Sequence, residues 1–386
     1  MGRHSLRIGI DGRAIYKAID GIGRYSLNLI RKLAAIDHTN QYFIFKNPEI
    51  KENIADAANF HEVVVGFHHL SLRTVLCLPR VTKRFALDVF HAPFFVCPMW
   101  GVKNVVLTVH DIMALTFPSF FGGRNRLKEK AAFFYHRLFV PLSIQRARKI
   151  IAVSNSTKLA LMESLKVAAD RISVTYEAVD DRFEVDCARK DVEAFRVRLG
   201  LPQEYLLYVG NMKPYKNFTL IASALEILKK RMGLRHKLVV AGKKDRFFPA
   251  VYEDLKNRNL LDDVVFVGYV GDDELPWLFK NAAVFLFPSL CEGFGLPPLE
   301  AMSQGVPTIV SHASSLPEVV ADGALLVDPH SPEDLAGAIL KVLKDVDLRS
   351  RLSQRGIERS RAFSWETMAR QTLAIYNAMG RGGQRA

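Results

Sequence analysis

The sequence predicts an α/β protein of two domains, each a parallel sheet covered by helices, and three features predict it. A chain of 386 residues is longer than one hydrophobic core ordinarily serves. Short, almost continuously apolar segments alternate with stretches of helical periodicity, twice over along the chain; strands buried on both faces read this way. Polar residues and glycines gather directly after those segments, and in open α/β sheets ligands bind at the carboxyl ends of the strands.

In the first half, residues 6–10 form an apolar strand. The loop that follows leads into a helix whose apolar positions Leu27, Ile30, Leu33 and Ala34 recur at helical spacing. G-I-G-R-Y at 21–25 opens that helix. A dinucleotide fingerprint would need glycine at position 26, where Ser26 stands, so a dehydrogenase reading loses its motif. Further strands are expected at 42–45, 62–65, 88–91, 105–110 and 149–154. His110 and Asp111 fall just past the end of one of them. His91 ends another and is a weaker candidate, since a histidine at a strand end is more often structural.

From 174 to 191 the chain turns acidic and loses periodicity, TYEAVDDRFEVDCARKD. This is read as the linker, residues 177–190, between a first domain of 1–176 and a second of 191–363. The last helix, from F-S-W-E over 364–386, is assigned to the first domain.

The second half repeats the pattern, with strands expected at 205–209, 237–241, 264–267, 283–287, 308–310 and 324–327. After the first comes N-M-K-P-Y-K-N, with Asn211, Lys213 and Lys216 in a loop and Asn217 placed to cap the next helix. After the fourth comes C-E-G-F-G-L-P-P-L-E. Proline suits the first turn of a helix, so Pro297 and Pro298 announce one. Glu292 then lies in the loop and Glu300 in the first helical turn. Gly293 and Gly295 let the backbone approach a ligand, and the helix start offers free N–H groups and a positive dipole end. Such a segment suits phosphate and hydroxyls, although either glutamate alone would read as a solvated or dipole-favouring acid.

Hydrophobic content of 49% and charged content of 24% describe a globular protein with ample core. No apolar run approaches the roughly eighteen residues of a membrane span. A strand begins almost at once, so no signal peptide is expected. Cys77, Cys97, Cys187 and Cys291 lie far apart without metal-type spacing, which fits a reduced, cytoplasmic protein. Net charge is +13, and residues 1–176 carry 25 Lys+Arg against 12 Asp+Glu, so the first half holds the entire surplus. The cations are dispersed and no nucleic-acid module is recognisable, so nucleic acid is not an expected partner.

The segment E-G-F-G-L-P-P-L-E, with its seven residues between glutamates, closely resembles the signature of the large retaining glycosyltransferase family 4 (group 1 type), whose members use nucleotide sugars. The resemblance implies the GT-B fold, two Rossmann-like domains facing across a cleft. It implies that Glu292 contacts the donor sugar and that the backbone of Gly293, Phe294, Gly295 and Leu296 holds the diphosphate. Glu300 would bind the ribose. T-V-H-D-I is similar to the family's strand-end motif, which places His110 against the donor sugar. Gly21, Gly23 and Arg24 correspond to a glycine loop near the donor phosphates, and Lys213 and Lys216 to the phosphate-binding loop. The family often has arginine where Asn211 stands, and glycine where Ala178 stands. Gly268, Tyr269 and Val270 would meet the nucleotide base. S-S-L-P-E-V-V at 314–320 and A-L-L-V-D-P at 324–329 most resemble the mannosyl- and rhamnosyl-transferring branch.

The expected activity is therefore retaining transfer of a hexose, best matched by mannose from GDP-mannose, to a glycan or lipid-linked acceptor in cell-surface polysaccharide synthesis. A UDP- or dTDP-sugar donor and a catalytically inactive nucleotide-sugar-binding protein are the alternatives. No cofactor beyond the donor and no metal are expected: the D-x-D at Asp345 and Asp347 sits in a surface-like helical segment. One further expectation concerns partners. Residues 117–149 interleave Arg124, Arg126, Lys128, Lys130 and Arg137 with phenylalanines, and Leu127, Ala131, Phe134 and Leu138 follow helical spacing. That stripe either packs in the core or docks on an anionic membrane, making the enzyme peripheral on its inner face.

Overall fold

The computed structural model describes residues 5–17, 19–116, 126–184 and 189–381. They form two compact units. The first holds the chain up to Thr116, Leu127–Glu177 and the segment from Ser364; the second holds Ala178–Phe363.

Among the described residues the first unit has a sheet of β1 (Arg7–Asp11), β2 (Gln41–Lys46), β3 (Phe60–Val64), β4 (Val89–Ala92), β5 (Asn104–Val109), β6 (Lys149–Ala152) and β7 (Ile172–Val174), ordered β3-β2-β1-β4-β5-β6-β7. Every pairing is parallel. β5 is buried along its whole length, in keeping with its nearly continuous apolar character. The helix Trp365–Arg381 belongs to this unit, and its Tyr376 hydroxyl lies 2.5 Å from His91 Nδ1.

The second unit has β8 (Tyr205–Val209), β9 (Lys237–Ala241), β10 (Val264–Gly268), β11 (Ala282–Phe287), β12 (Thr308–Ser311) and β13 (Leu325–Val327), again all parallel and ordered β10-β9-β8-β11-β12-β13. In both sheets the order reverses beside the first strand, between β1 and β4 and between β8 and β11. At such a reversal the connections leave in opposite directions and open a crevice at the carboxyl ends of the two strands.

Several expectations are corrected. β7, Ile172–Val174, is a strand not expected from the sequence; it ends where the acidic stretch begins, and three residues at a sheet edge are too few to show a pattern. Asn217 does not cap the next helix with its side chain. It takes φ +58° and instead donates to the carbonyls of Pro288 and Pro329, at 3.2 and 2.8 Å, joining three loops. Glu300 is not in the first turn, because the helix starts at Leu296 and runs to Ser303. The turn that starts it falls on Gly295 at φ +112°, where a Cβ would come within 2.8 Å of Leu316. Asp345 accepts from the Leu348 N–H and caps the helix Val346–Arg361.

The helix Arg126–Arg146 has two apolar faces. Its His136, Val140, Ser143 and Ile144 are buried, and this is the face that packs. Phe134 and Leu138 of the expected stripe are 65% and 55% exposed, and Leu142 continues it at 39%. Of the stripe, therefore, the described side chains do not enter the core. The side chain of Leu127, the cations Arg124, Arg126 and Lys128, and Cys187 of the linker lie outside the described side chains.

Candidate functional site

The clearest constellation sits where the second sheet reverses. The loop after β8 and the loop after β11 emerge side by side there, which is why residues far apart in sequence meet. Gly210 and Gly242, both at φ +157°, let the ends of β8 and β9 approach so closely that a Cβ on Gly242 would lie 1.9 Å from the Gly210 carbonyl. Asn211 is fixed from both sides, its carbonyl accepting from the Tyr208 hydroxyl at 2.6 Å and its side chain from the Lys213 N–H at 3.2 Å. The turn Pro214–Lys216 then swings Lys216 inward. Lys216 is 8% exposed, and its Nζ lies 2.7 Å from Glu292 Oε1 and 4.7 Å from the Phe287 ring centroid. Lys213 stays half-exposed beside the Tyr215 ring.

Glu292 is held in place by backbone contacts. Its N–H donates to Ser314 Oγ at 3.1 Å and its carbonyl accepts from Ser315 Oγ at 3.1 Å; Ser315 also reaches the Phe294 carbonyl at 2.8 Å. The Phe294 side chain is buried and meets Phe363 edge-on at 5.5 Å, so only its backbone is available to a ligand. The turn of Gly293, Phe294 and Gly295 delivers the start of the helix at Leu296, where N–H groups without helical acceptors gather. Glu300, 6% exposed, is on the same helix, 3.5 Å from Arg182 Nη2. A buried cation, an acid and a turn of amides on one rim are what an anionic leaving group and hydroxyls require.

In the first unit His110 follows β5, as expected. Its Nδ1 lies 2.9 Å from Glu177 Oε1 and its Nε2 3.1 Å from the Pro93 carbonyl. A carbonyl only accepts, and an ionised carboxylate only accepts, so this pair of partners favours the doubly protonated ring. Burial alone would lower the pKa of His110. The hydrogen bond and charge of Glu177 outweigh it, with Pro93 and Asp111 adding, and the net shift is upward. The Tyr25 ring meets the imidazole edge-on at 4.9 Å.

His91, the weaker candidate, is fully buried between Tyr376 and Thr108, and burial together with the charge of His110 pushes it down to about 3. It is a neutral core histidine. Gly21, Gly23 and Arg24 lie in the first turn of the helix Gly21–Ile36, which G-I-G-R-Y opens as expected, and the Gly23 N–H is taken by Asp20 Oδ1 at 2.8 Å. That amide is not offered to a phosphate. Gly23 is required for packing, since a Cβ there would stand 2.7 Å from the Ala14 carbonyl.

Glu177 and Arg182 escaped sequence reasoning. Both fall in the stretch read as an acidic linker, and the only local signal was one arginine among acids in D-D-R-F-E. Among the described residues no group of three or more His, Cys, Asp or Glu is arranged to hold a metal ion, and no helix is long and apolar enough to cross a membrane.

Comparison with known proteins agrees with this geometry. The family model "Glycosyltransferase Family 4" matches residues 19–183, and "Glycosyl transferases group 1" matches residues 190–359. The chain is 29% identical over 377 residues to the O-antigen chain mannosyltransferase B of Escherichia coli, covering 94% of this chain and 97% of that one. It is 26% identical to the O-antigen chain mannosyltransferase RfbU of Salmonella typhimurium, covering 87% and 91%. The crystal structure of WaaG, a glycosyltransferase involved in lipopolysaccharide biosynthesis, superposes with a TM-score of 0.69 at 18% identity, covering 96% of this chain and 99% of that one. Two parallel sheets of this order, the glutamate-bearing loop at the second reversal and a family match to each half make the chain a GT-B glycosyltransferase, a member of family 4 of the group 1 type similar to its mannosyltransferases.

Proposed function

We propose that the protein transfers mannose from GDP-mannose, with retention of configuration and without a metal, to a glycan or lipid-linked acceptor in cell-surface polysaccharide synthesis. The observation that carries the chemistry is the Lys216–Glu292 pair beside the turn at Gly293 to Leu296. The choice of sugar is supported by the relatives named as O-antigen mannosyltransferases.

As the bond at the anomeric carbon breaks, negative charge grows on the departing diphosphate. Lys216, Lys213 and the amides at the helix start stabilise that charge from fixed positions, so little reorganisation is needed when it develops. Glu292 accepts hydrogen bonds from the sugar hydroxyls and Glu300 from the ribose. His110, held by Glu177 and Pro93, presents its ring to the sugar. The acceptor attacks from the face the diphosphate leaves, with the departing phosphate as base. Support for a peripheral membrane location comes from the basic surplus of the first 176 residues and the exposed face carrying Phe134, Leu138 and Leu142.

Thermal shift against GDP-mannose and other GDP-, UDP- and dTDP-sugars, followed by donor turnover with the best binder, tests the reading. GDP-mannose should give the largest stabilisation and be consumed. A larger shift with another sugar nucleotide replaces the donor, and binding without turnover identifies an inactive binding protein.

A further inference from the structure

Arg182 is a largely buried cation of the second unit to which the proposed chemistry gives no task. It sits in the turn Asp181–Glu184, with a side chain 13% exposed. Nη1 lies 2.8 Å from Asp272 Oδ1 and Nη2 3.5 Å from Glu300 Oε1. Neither contact is the paired, fork-like arrangement that arginine and carboxylate prefer. Nε is buried with no acceptor, and Nη1, although beside the Asp272 carboxylate, makes no aligned hydrogen bond; a buried donor without an acceptor carries a desolvation cost that native structures rarely leave uncompensated. The backbone that carries the guanidinium is anchored. The Phe183 carbonyl accepts from Gln304 Nε2 at 2.7 Å, just beyond the helix that carries Glu300, and the Phe183 ring is buried 5.9 Å from that of Phe279. The turn is thereby fastened beside Glu300.

We propose that Arg182 is a donor-binding and specificity residue that completes the ribose site with Glu300. One ribose hydroxyl donates to the Glu300 carboxylate, and the oxygen of its neighbour accepts from the Arg182 guanidinium. A vicinal diol suits this pair because each hydroxyl both donates and accepts, whereas a carboxylate alone satisfies only donors. The consequence is discrimination. A site built to hydrogen-bond a hydroxyl rejects an analogue lacking it, since its own polar groups are then left unpaired. The protein therefore takes ribonucleoside diphosphate sugars in preference to 2′-deoxyribonucleoside ones, which separates GDP- and UDP-sugars from dTDP-sugars without any contact to the base. This inference rests on the reading of Glu300 as the ribose ligand.

The experiment measures affinity of the full chain for GDP, UDP and their 2′-deoxy counterparts by calorimetry, in the wild type, Arg182→Met, Arg182→Lys and Glu300→Gln. The wild type should bind the better ribonucleotide on the order of tenfold or more tightly than its 2′-deoxy form. Arg182→Met should weaken ribonucleotide binding and leave deoxynucleotide binding nearly unchanged, so that the ratio collapses toward one; Arg182→Lys, which keeps a donor, should retain part of it. Because the ratio is taken within each variant, a general loss of stability cancels, and should the Met variant fail to fold, a wild-type ratio in the Lys variant overturns the proposal. Equal losses for both nucleotides in Arg182→Met, or none, also overturn it. If Glu300→Gln keeps both affinity and ratio, the ribose reading itself falls; if Glu300→Gln weakens binding while Arg182→Met does not, only the role of Arg182 falls.

Discussion

Lys216 and Glu292, 76 residues apart in the chain, meet at 2.7 Å between Nζ and Oε1 on the rim where the second sheet reverses. The side chains are 10% and 11% exposed, so neither charge is dissolved in water. On the proposed mechanism the lysine is already placed and desolvated before the diphosphate arrives, and the acid keeps it in that position.

Lys216→Ala should lower turnover on the order of 10²-fold or more, because it removes a charge-assisted contact to the leaving diphosphate. It also leaves Glu292 buried without its cation, so the melting temperature should fall as well. Steady-state kinetics with donor varied through its KM is the check, and an unchanged kcat/KM would contradict the assignment.

The two glutamates should separate kinetically. Glu300→Ala should chiefly raise the KM for donor, whereas Glu292→Ala should depress transfer even at saturating donor. Since Glu300 lies beyond the first helical turn, a mere loss of helix-dipole stabilisation is not expected to explain its effect. Variants that lose only stability, with normal kinetics at a temperature where they fold, would remove both assignments.

His110 and Glu177 make a pH-dependent contribution to stability. The folded His110 pKa is raised, with Glu177 outweighing burial. The contribution is therefore fully present below the ordinary value of 6.5 and is lost as pH rises through the higher folded value. In Glu177→Gln the stability deficit relative to wild type should be largest near pH 6 and shrink toward pH 9, by thermal melting across that range. A deficit that is flat or grows with pH would be inconsistent with a protonated His110.

Transfer should persist in EDTA, because fixed cations and helix amides carry the phosphate charge on the proposed mechanism. Activity abolished by chelator and restored by Mg²⁺ or Mn²⁺ would show that a metal shares that task.

The helix Arg126–Arg146 should support binding to anionic vesicles at low salt. Lys130 and Arg137 are exposed on it with Phe134, Leu138 and Leu142, and each cation near an anionic surface adds roughly 1 kcal/mol, screened by salt. Flotation should recover the protein with anionic but not neutral vesicles, and Phe134→Ser with Leu138→Ser should abolish recovery. Equal flotation on neutral vesicles, or none at low salt, rules out this location.

The sequence by itself determined the two parallel sheets and the glutamate-bearing loop, because a strand buried on both faces must be apolar throughout and a helix start must accommodate its prolines and glycines. Both are local requirements, written in consecutive residues. It did not determine which way the helix Arg126–Arg146 faces, since two apolar stripes on one helix have the same periodicity and only packing chooses between them. Nor did it reveal that Glu177 holds His110, 67 residues away, or that Arg182 lies against Glu300. An ion pair between segments so far apart in the chain leaves no spacing to read. His110 and Glu177 meet because strand order brings the ends of β5 and β7 near each other, and strand order is a property of the folded sheet alone.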